Sequence, residues 1–417
     1  MTLFKMAWRN VWRNPRRSGL TIAAMTLALV VELLYSGLVV GMISDMEDDA
    51  VQTDLGDLQI FADGYLMRPS LYEAVQGADE MVEQLEAAGY RATPRLYGGG
   101  LAGAGEVSSG VSLVGVDPVR DANTLALAGA IAEGAWLDDS APGEVVIGRG
   151  LARTLGIGLG DEVVVLSQGT DGSVANDLYT VRGVLMSVAA SMDRGAILMT
   201  ESAFRELMVF PEGAHRILIR RPDGMPLSEA KAFVQAVAGV PAVLDPDSSE
   251  RPANDVMTWS ELQPMLAQWL QSVEGVVVVM YFIVYFAVGI LILNAMLMAV
   301  FERIKELGVL KAIGYGPLQI VAMMAGEAML QATVATGIGV LLAAPFMWYL
   351  QTHGIDVGVL GGVQMAGMTM PAVWHGRYSV DTASVPVVML YFIAFGAVIY
   401  PALKAAWVRP VEAMHHQ

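Results

Sequence analysis

Five charged side chains stand close together between two long apolar runs, in the stretch FERIKELGVLKAIGYGPLQI at 301–320. They are Glu302, Arg303, Lys305, Glu306 and Lys311, three basic and two acidic. If 301–313 is helical, they lie away from an apolar stripe of Phe301, Ile304, Leu307 or Gly308, Leu310 and Ile313. An amphipathic helix of this size binds either lipid headgroups, which favour an excess of basic residues, or a groove on a partner protein. The balanced signs favour a partner protein.

Two carboxylates, Glu32 and Glu327, fall inside apolar runs. An ionisable group at bilayer depth costs about 2.5–3.5 kcal/mol on insertion scales, so each side chain should face protein or a water-filled cavity. Glu327 stands only about nine residues into its run and could lie close to the membrane interface. Glu32 is deeper, which makes a functional role for it the stronger expectation.

Other patterns that could carry chemistry are weak. Residues 98–103 (GGGLAG) match the phosphate-binding pattern G-x-G-x-x-G, but no helix-forming stretch follows them, so we expect a flexible loop. The pattern G-x-x-x-x-G-K-[ST] does not occur, which excludes ATP binding by a P-loop of this sequence. Cysteine is absent, which excludes thiol catalysis and cysteine-type zinc sites.

The histidines and a methionine cluster do not indicate a metal site. The histidines, His215, His353, His375, His415 and His416, form no H-E-x-x-H pattern. Met365, Met368 and Met370 could offer thioethers to Cu(I), but in a chain with 26 methionines chance clustering or an adaptable apolar surface explains them better. We therefore predict no catalytic residue, metal site or bound cofactor, and no enzymatic activity of this chain alone.

Four apolar runs must position these groups. Residues 18–43, 275–300, 318–350 and 384–403 are each long enough to cross about 30 Å of hydrocarbon as a helix. The mean hydropathy of +0.50 agrees with several membrane spans. The first run is too long for the apolar part of a signal peptide, and no small-residue cleavage site follows it, so we expect it to stay as a span.

The charges predict the orientation of the spans. Residues 1–17, 301–317 and 404–417 together carry ten basic and three acidic residues, whereas 44–274 carry 14 basic and 35 acidic ones. By the positive-inside rule, the elbow 1–17, the turn 301–317 and the tail 404–417 are cytoplasmic, and 44–274 and the loop 351–383 are extracytoplasmic. The predicted fold class is an α+β membrane protein with four transmembrane helices and a large mixed α/β extracytoplasmic domain between helices 1 and 2.

The 231-residue insert has two textures. Residues 44–142 and 221–257 mix strand-like pieces with helical spacing, as at 78–88, whereas 143–220 are β-rich with turn signals such as Asp171-Gly172. Residues 245–255 indicate a polar linker. The stretch 258–274 is amphipathic and is expected to run without a break into the second span as a stalk helix.

The stretch ERIKELGVLKAIGYGPLQI (302–320) closely resembles the coupling segment of the FtsX/MacB-type ABC transporter permeases. MAWRNVWRNPRRSGLTIAAM resembles the family's N-terminal elbow and first span. LVGVDP (113–118), GAWL (134–137), 145–165 and YTVRGVL (179–185) are similar to its MacB-like periplasmic domain. TWSELQPMLAQWL is most like the lipoprotein-releasing LolC/LolE branch. Unlike MacB-type exporters, which carry a fused ATPase, this sequence starts directly at the elbow.

The resemblance implies a permease subunit of an inner-membrane ABC transporter. Glu302, Arg303, Lys305, Glu306, Gly308 and Lys311 would contact a separate cytoplasmic ATPase, present in two copies, which binds the ATP and magnesium. A second permease subunit, the same chain or a paralogue, would complete the complex within the membrane lipids, and no nucleic acid is expected. The implied work is extraction of a lipoprotein from the outer leaflet for transfer to a periplasmic carrier.

Two alternatives remain open on the sequence: MacB-like efflux of a small molecule or peptide with an adaptor, and FtsX-like mechanotransmission to a periplasmic hydrolase. An outer-face enzyme is disfavoured because no catalytic set is found. For the extraction hypothesis, an apolar shelter for the lipid anchor is expected at the outer ends of spans 1 and 2. The candidate lining residues are Val39, Val40, Ile43, Val276, Val277 and Met280.

Overall fold

The structure is a computed structural model that describes residues 8–9, 11–186, 190–240, 253–357, 364–365, 368–369 and 373–407. Residues 245–252 of the predicted linker 245–255 lie outside the described residues, as do Met370, His415 and His416, whereas Asn254 and Asp255 at the end of that stretch belong to a strand. The chain divides into two compact units, one formed by Met1–Asp45, Leu270–Val357 and Val373–Gln417, the other by Met46–Trp269 and Gly358–Ala372.

The first unit is built on long apolar helices. Four helices of the described chain are long and apolar enough to cross a membrane. They are α1 (Pro15–Ala50), α9 (Pro264–Glu302), α11 (Pro317–Thr352) and α12 (Val380–Trp407), and a short helix, α10 (Ile304–Ala312), lies between α9 and α11. The helices extend beyond the predicted spans because hydropathy detects only their lipid-compatible parts.

Small residues allow α11 and α12 to pack closely. Ala332, Ala335 and Ala343 of α11 and Ala394 and Ala402 of α12 are all buried in one apolar cluster. Without a Cβ branch, such residues let helix backbones approach and gain dispersion contacts that lipid cannot offer. Larger side chains fill the rest of the cluster, including Leu29 and Leu33 of α1 and Tyr285 and Ile292 of α9.

The C-terminal half of α1 contacts the short segment that precedes α12. The backbone N–H of Arg377 donates to the carbonyl of Gly37 at 2.9 Å, and the Tyr378 hydroxyl donates to the carbonyl of Leu34 at 3.2 Å. Arg377 also contacts the side chains of Ser44 and Asp45. A Cβ at Gly37 would overlap the Tyr378 ring. Glycine at this position therefore makes the notch into which Tyr378 fits, and burial there raises the pKa of Tyr378 to about 12.

The second unit is built on a ten-stranded sheet, in the order β10-β1-β9-β2-β3-β8-β5-β7-β4, with β6 paired to both β2 and β7. The strands are β1 (Leu58–Ala62), β2 (Arg91–Ala104), β3 (Val107–Val116), β4 (Ile131–Gly134), β5 (Glu144–Ile147), β6 (Glu162–Gln168), β7 (Val174–Leu185), β8 (Ala196–Thr200), β9 (Arg216–Arg220) and β10 (Asn254–Thr258). The helices are α2 (Ala78–Ala87), α3 (Pro118–Thr124), α4 (Arg149–Leu155), α5 (Ala190–Gly195), α6 (Glu201–Met208), α7 (Leu227–Val237) and α8 (Trp259–Leu262). Apart from this sheet, β12 (Gln364–Met365) pairs with β13 (Met368–Thr369) in the second unit, and β11 (Ile355–Asp356) pairs with β14 (Val373–Trp374) in the first.

The double pairing of β6 closes a ring of six strands, β2-β3-β8-β5-β7-β6. The sequence placed the change from α/β to β-rich texture at Gly143, whereas β2 and β3 from before that point complete the ring. Local composition could not show this, because a long strand can pair with different neighbours along its length. β2 pairs with β9 through residues 91–95 and with β6 through residues 101–103.

Two expectations are wrong in this unit. Residues 98–103 are not a loop but part of β2, where a Cβ at Gly98 would lie 3.1 Å from the Met208 side chain and one at Gly100 only 2.7 Å from the Leu166 carbonyl. The stalk helix is also interrupted, since α8 ends at Leu262 and α9 begins at Pro264. Proline disfavours helical backbone at the residue before it, which explains the break at Gln263.

A buried ion pair fixes α3 to β2. Arg95 is fully buried and donates to both carboxylate oxygens of Asp121, at 2.8 and 3.1 Å. A third contact, at 3.2 Å, joins it to Asp54. Two carboxylates thus pair with one buried guanidinium, which is the condition under which a buried charge is tolerated.

Candidate functional site

The candidate site is the charged turn around α10. It lies at the end of the first unit where α9 ends and α11 begins. Arg303 has non-helical backbone angles between α9 and α10, so the chain changes direction there. Gly314, with φ of +107°, ends the turn after α10, and Pro317 begins α11. Gly316 donates its N–H to the Gln319 side chain at 3.0 Å, which caps α11. These local features hold α10 as a separate short helix.

The two acidic residues pair with the segment that begins α1. Glu306 accepts from both terminal nitrogens of Arg13, with a distance of 2.9 Å from Nη1 to Oε2. This hydrogen-bonded guanidinium lowers the pKa of Glu306. Glu302 accepts from Arg17 at 2.7 Å and from Asn14 at 3.3 Å. The acids of the turn thus bind the basic N-terminal segment of the same chain, a contact that the sequence did not predict.

Arg303 is buried, whereas the sequence grouped it with the other charges, away from the apolar stripe. Its Nη1 lies 3.4 Å from Oε2 of Glu327 on α11, and both side chains are less than a tenth exposed. Glu327 is therefore the inward partner of the turn rather than an isolated carboxylate. The sequence does contain the two partners, a basic residue between two helices and an acidic residue in the next span. Whether they pair depends on the direction in which the chain turns at Arg303, and the sequence does not give that direction.

The remaining predicted residues divide into inward and outward positions. Leu307 and Gly308 are buried against the helices, and Lys311 donates to the carbonyl of Ala406 on α12. Lys305 is exposed, and the described residues place no carboxylate within ion-pair distance of it. Lys404 lies 4.9 Å from the centre of the Phe301 ring, a cation–π contact between α12 and the end of α9.

The apolar stripe predicted for 301–313 is divided between buried and exposed positions. Phe301 and Ile313 are 52% and 72% exposed, and Val309 is 49% exposed. The helix is shorter than expected and starts after a change of direction, so the phase of its faces differs from that of one continuous helix. The outward face of α10, defined here as Lys305, Val309 and Ile313, combines one cation with two apolar side chains. An exposed surface of this composition is typical of a site that binds another protein.

Glu32 lies at the centre of the helical unit. Its side chain is 1% exposed, and neither carboxylate oxygen has a hydrogen-bond partner among the described residues. Tyr281 and Tyr285 of α9 lie close enough to interact with it electrostatically. The expectation that Glu32 faces protein rather than lipid agrees with this burial, and its function stays a prediction.

The six candidate residues for the lipid-anchor shelter include both exposed and packed side chains. Val40, Val276 and Met280 are exposed, by 39%, 54% and 37%. Val39 and Ile43 are half-buried, and Val277 packs against the apolar cluster of the helices. Of the two neighbouring valines on α9, Val276 is therefore the one that presents a free surface.

Together, four membrane-length helices, a charged turn between two of them and a large α/β domain inserted after the first define a membrane permease. Comparison with known families agrees with this class. The profile described as MacB-like periplasmic core domain matches residues 18–237, and that described as FtsX-like permease C-terminal matches residues 278–410. The chain belongs to the FtsX/MacB family of ABC transporter permeases. The resemblance seen in the sequence and the predicted fold class are both confirmed.

Individual relatives are distant. Over 326 residues, covering 76% of this chain and 75% of the relative, the sequence is 21% identical to the lipoprotein-releasing system transmembrane protein LolC of Neisseria meningitidis serogroup B (strain ATCC BAA-335 / MC58). The periplasmic region of MacB from Actinobacillus actinomycetemcomitans is 14% identical, covers 53% of this chain and 95% of its own, and has a TM-score of 0.37. The extracellular domain of the transporter YknZ from Gram-positive bacteria is 14% identical, with coverages of 48% and 99% and a TM-score of 0.33.

Proposed function

We propose that this permease couples ATP hydrolysis on a separate ABC ATPase to the extraction of lipoproteins from the outer leaflet of the inner membrane. The observation that carries the proposal is the turn around α10, whose outward face is exposed while Arg303 on its inner side pairs with Glu327 of α11. A push on α10 would therefore reach the membrane helices through a buried ion pair and the packing of Leu307 and Gly308. The likeness to LolC supports lipoproteins as the cargo.

The proposed orientation follows from charge. The basic elbow, the turn and the tail would lie in the cytoplasm, where the ATPase, with its ATP and magnesium, is present in two copies. The acidic second unit would lie in the periplasm, where a soluble carrier receives the cargo. A second permease subunit, either this chain or a paralogue, would face it across the membrane.

The need for ATP follows from the chemistry of a lipid anchor. Acyl chains buried at about 0.8 kcal/mol per CH₂ do not leave the bilayer on a useful timescale, so release requires mechanical work and an apolar shelter. We place the shelter between two subunits, at Val40 and Val276, with Val39, Ile43, Val277 and Met280 supporting it.

Photo-crosslinking in cells tests the cargo. A photoreactive residue at Val40 or at Val276 should give adducts with lipoproteins that decrease when membranes receive ATP. The matched control is Leu341 of α11, which is 75% exposed and lies outside the proposed shelter. Absence of lipoprotein adducts at both positions, or equal adducts at Leu341, contradicts extraction. Adducts with exported peptides or small molecules instead would favour efflux.

A further inference from the structure

Glu32 is a buried carboxyl group that the proposed function leaves unused. It lies on the face of α1 that is turned into the helical unit, where Leu29, Leu33 and Ser36 are also buried. Its side chain is 1% exposed, and within the described chain neither carboxyl oxygen has a hydrogen-bond partner. Burying a polar group without a hydrogen bond costs stability that an apolar side chain at this position would not cost. An ionisable residue kept inside a membrane helix at such a cost is a candidate for a functional role.

The surroundings of Glu32 contain polar groups but no charge. Tyr281 and Tyr285 of α9 are the titratable groups that interact with it, and no charged side chain of the described residues does. The Tyr285 hydroxyl donates to the carbonyl of Pro386 on α12 at 2.7 Å, and the Tyr281 hydroxyl lies within hydrogen-bonding reach of Ser36. Both hydroxyl groups are therefore engaged elsewhere, and neither donates to the carboxyl group of Glu32.

Burial without a cation decides the charge of this group in the present conformation. A carboxylate that leaves water is tolerated where a cation or several hydrogen bonds compensate its charge, and otherwise it takes up a proton. Glu327 is the compensated case, because Arg303 lies 3.4 Å from it. Glu32 has neither form of compensation among the residues that the structure describes. It therefore holds its proton and is neutral here.

Glu32 lies at the junction of α1 and α9, which is where Tyr281 and Tyr285 meet the buried face of α1. The backbones of α1 and α9 approach each other far less than those of α11 and α12 do, so long side chains make this junction. Val40, at the proposed shelter, is about 12 Å further along α1 at 1.5 Å per residue. Separation of the two helices would therefore open the shelter and admit water to Glu32 in one movement.

We propose that Glu32 is a proton-binding site that releases its proton when α1 and α9 separate and binds one again when they close. On separation, water enters the junction, the O–H bond of the carboxyl group breaks, and water carries the proton to the bulk solvent. Hydration of the resulting anion stabilises the separated arrangement. On closure, the carboxylate takes a proton back from water and returns to its buried, neutral form. The proposal rests on the proposed function only in that ATP drives the separation, and it does not depend on the cargo.

Infrared difference spectroscopy on the permease with its partner ATPase in lipid nanodiscs tests the proposal, because neutral and ionised carboxyl groups absorb at different frequencies. At pH 7, a non-hydrolysable ATP analogue should produce a negative band of a neutral carboxyl group and a positive band of a carboxylate. Glu32→Gln should reduce both bands at least tenfold, because its amide has the same size but no proton to release. The matched control, Glu106→Gln, changes an exposed carboxylate of the second unit and should keep both bands. The phosphate bands of the analogue show that nucleotide is bound in each sample.

A second variant assigns the bands if Glu32→Gln fails to fold. Glu32→Asp keeps a carboxyl group at the junction, so both bands should remain but shift in frequency. Absence of the negative band from the unmodified complex, full bands in Glu32→Gln, or unshifted bands in Glu32→Asp overturns the proposal. Bands that depend on Glu32, found together with no lipoprotein adducts at Val40 and Val276, would support this proposal and contradict extraction. Lipoprotein adducts without the bands would do the reverse.

Discussion

The buried pair of Arg303 and Glu327 is the contact at which the coupling turn meets the membrane helices. Neither side chain is more than a tenth exposed, and the two are 3.4 Å apart. Removing one member of a buried pair leaves the other charge without its main compensation, whereas replacing both with apolar residues is often neutral.

We expect Glu327→Leu to destabilise the protein by about 3–5 kcal/mol, because the Arg303 guanidinium then loses its buried carboxylate. The double variant Arg303→Met with Glu327→Leu should recover most of that loss. Thermal unfolding in detergent measures both effects. If the double variant is as unstable as the single one, the pair is not the source of the stability.

At the scale of elements, the two short contacts of α1 can be tested separately. At the end of α1 near Arg377, the Gly37 notch accepts Tyr378, and at the other end Arg13 and Arg17 bind the acids of the coupling turn. Both contacts join segments that are distant in sequence. The first depends on shape and the second on charge.

Gly37→Ala should destabilise the helical unit by about 1–3 kcal/mol, since the added methyl group overlaps the Tyr378 ring and forces a rearrangement. Gly19→Ala on the same helix is the matched control, because nothing lies within 4 Å of its Cβ. It should raise stability slightly by improving helix propensity. Equal midpoints of thermal unfolding for the two variants would show that Tyr378 does not occupy the notch.

Glu306→Lys should break the pair with Arg13, and the double variant Arg13→Glu with Glu306→Lys should restore it. Because both side chains are about half exposed, the loss should be small, about 0.2–1 kcal/mol. The lowered pKa of Glu306 means that the pair stabilises the fold fully above the unfolded carboxyl pKa of about 4.3, and that this stability is lost as the pH falls through the lower pKa of the folded state. Thermal unfolding at pH 7 and pH 4 measures this. A single variant that matches the unmodified protein at pH 7 contradicts the pair.

At the scale of the whole molecule, the four long helices and the inserted domain could be predicted because they depend on long apolar runs and on the charge of large segments. The position of Arg303 could not, since it depends on a single backbone break that changes which face of α10 is buried. The glycines at 98–103 were misread for a related reason. Their pattern suits a loop, but their role is to let β2 pass close to Met208 and Leu166.

The same limit applies to the division of the second unit. Alternation of apolar residues predicts strands, but it does not predict that β2 pairs with β9 along one part of its length and with β6 along another.

The central claim is that the outward face of α10 receives the work of an ABC ATPase. We expect Val309→Asp combined with Ile313→Asp to insert and fold normally, because both side chains are exposed. Val174→Asp, at a valine of the second unit that is 76% exposed, is the control.

The most direct measurement is co-purification of the co-expressed partner ATPase with the tagged permease, together with the rate of ATP hydrolysis by the complex. We expect the α10 double variant to retain at least tenfold less ATPase than the unmodified permease, while Val174→Asp retains a normal amount. An α10 double variant that retains a full complement of ATPase and a normal rate of hydrolysis would show that this face does not receive the ATPase.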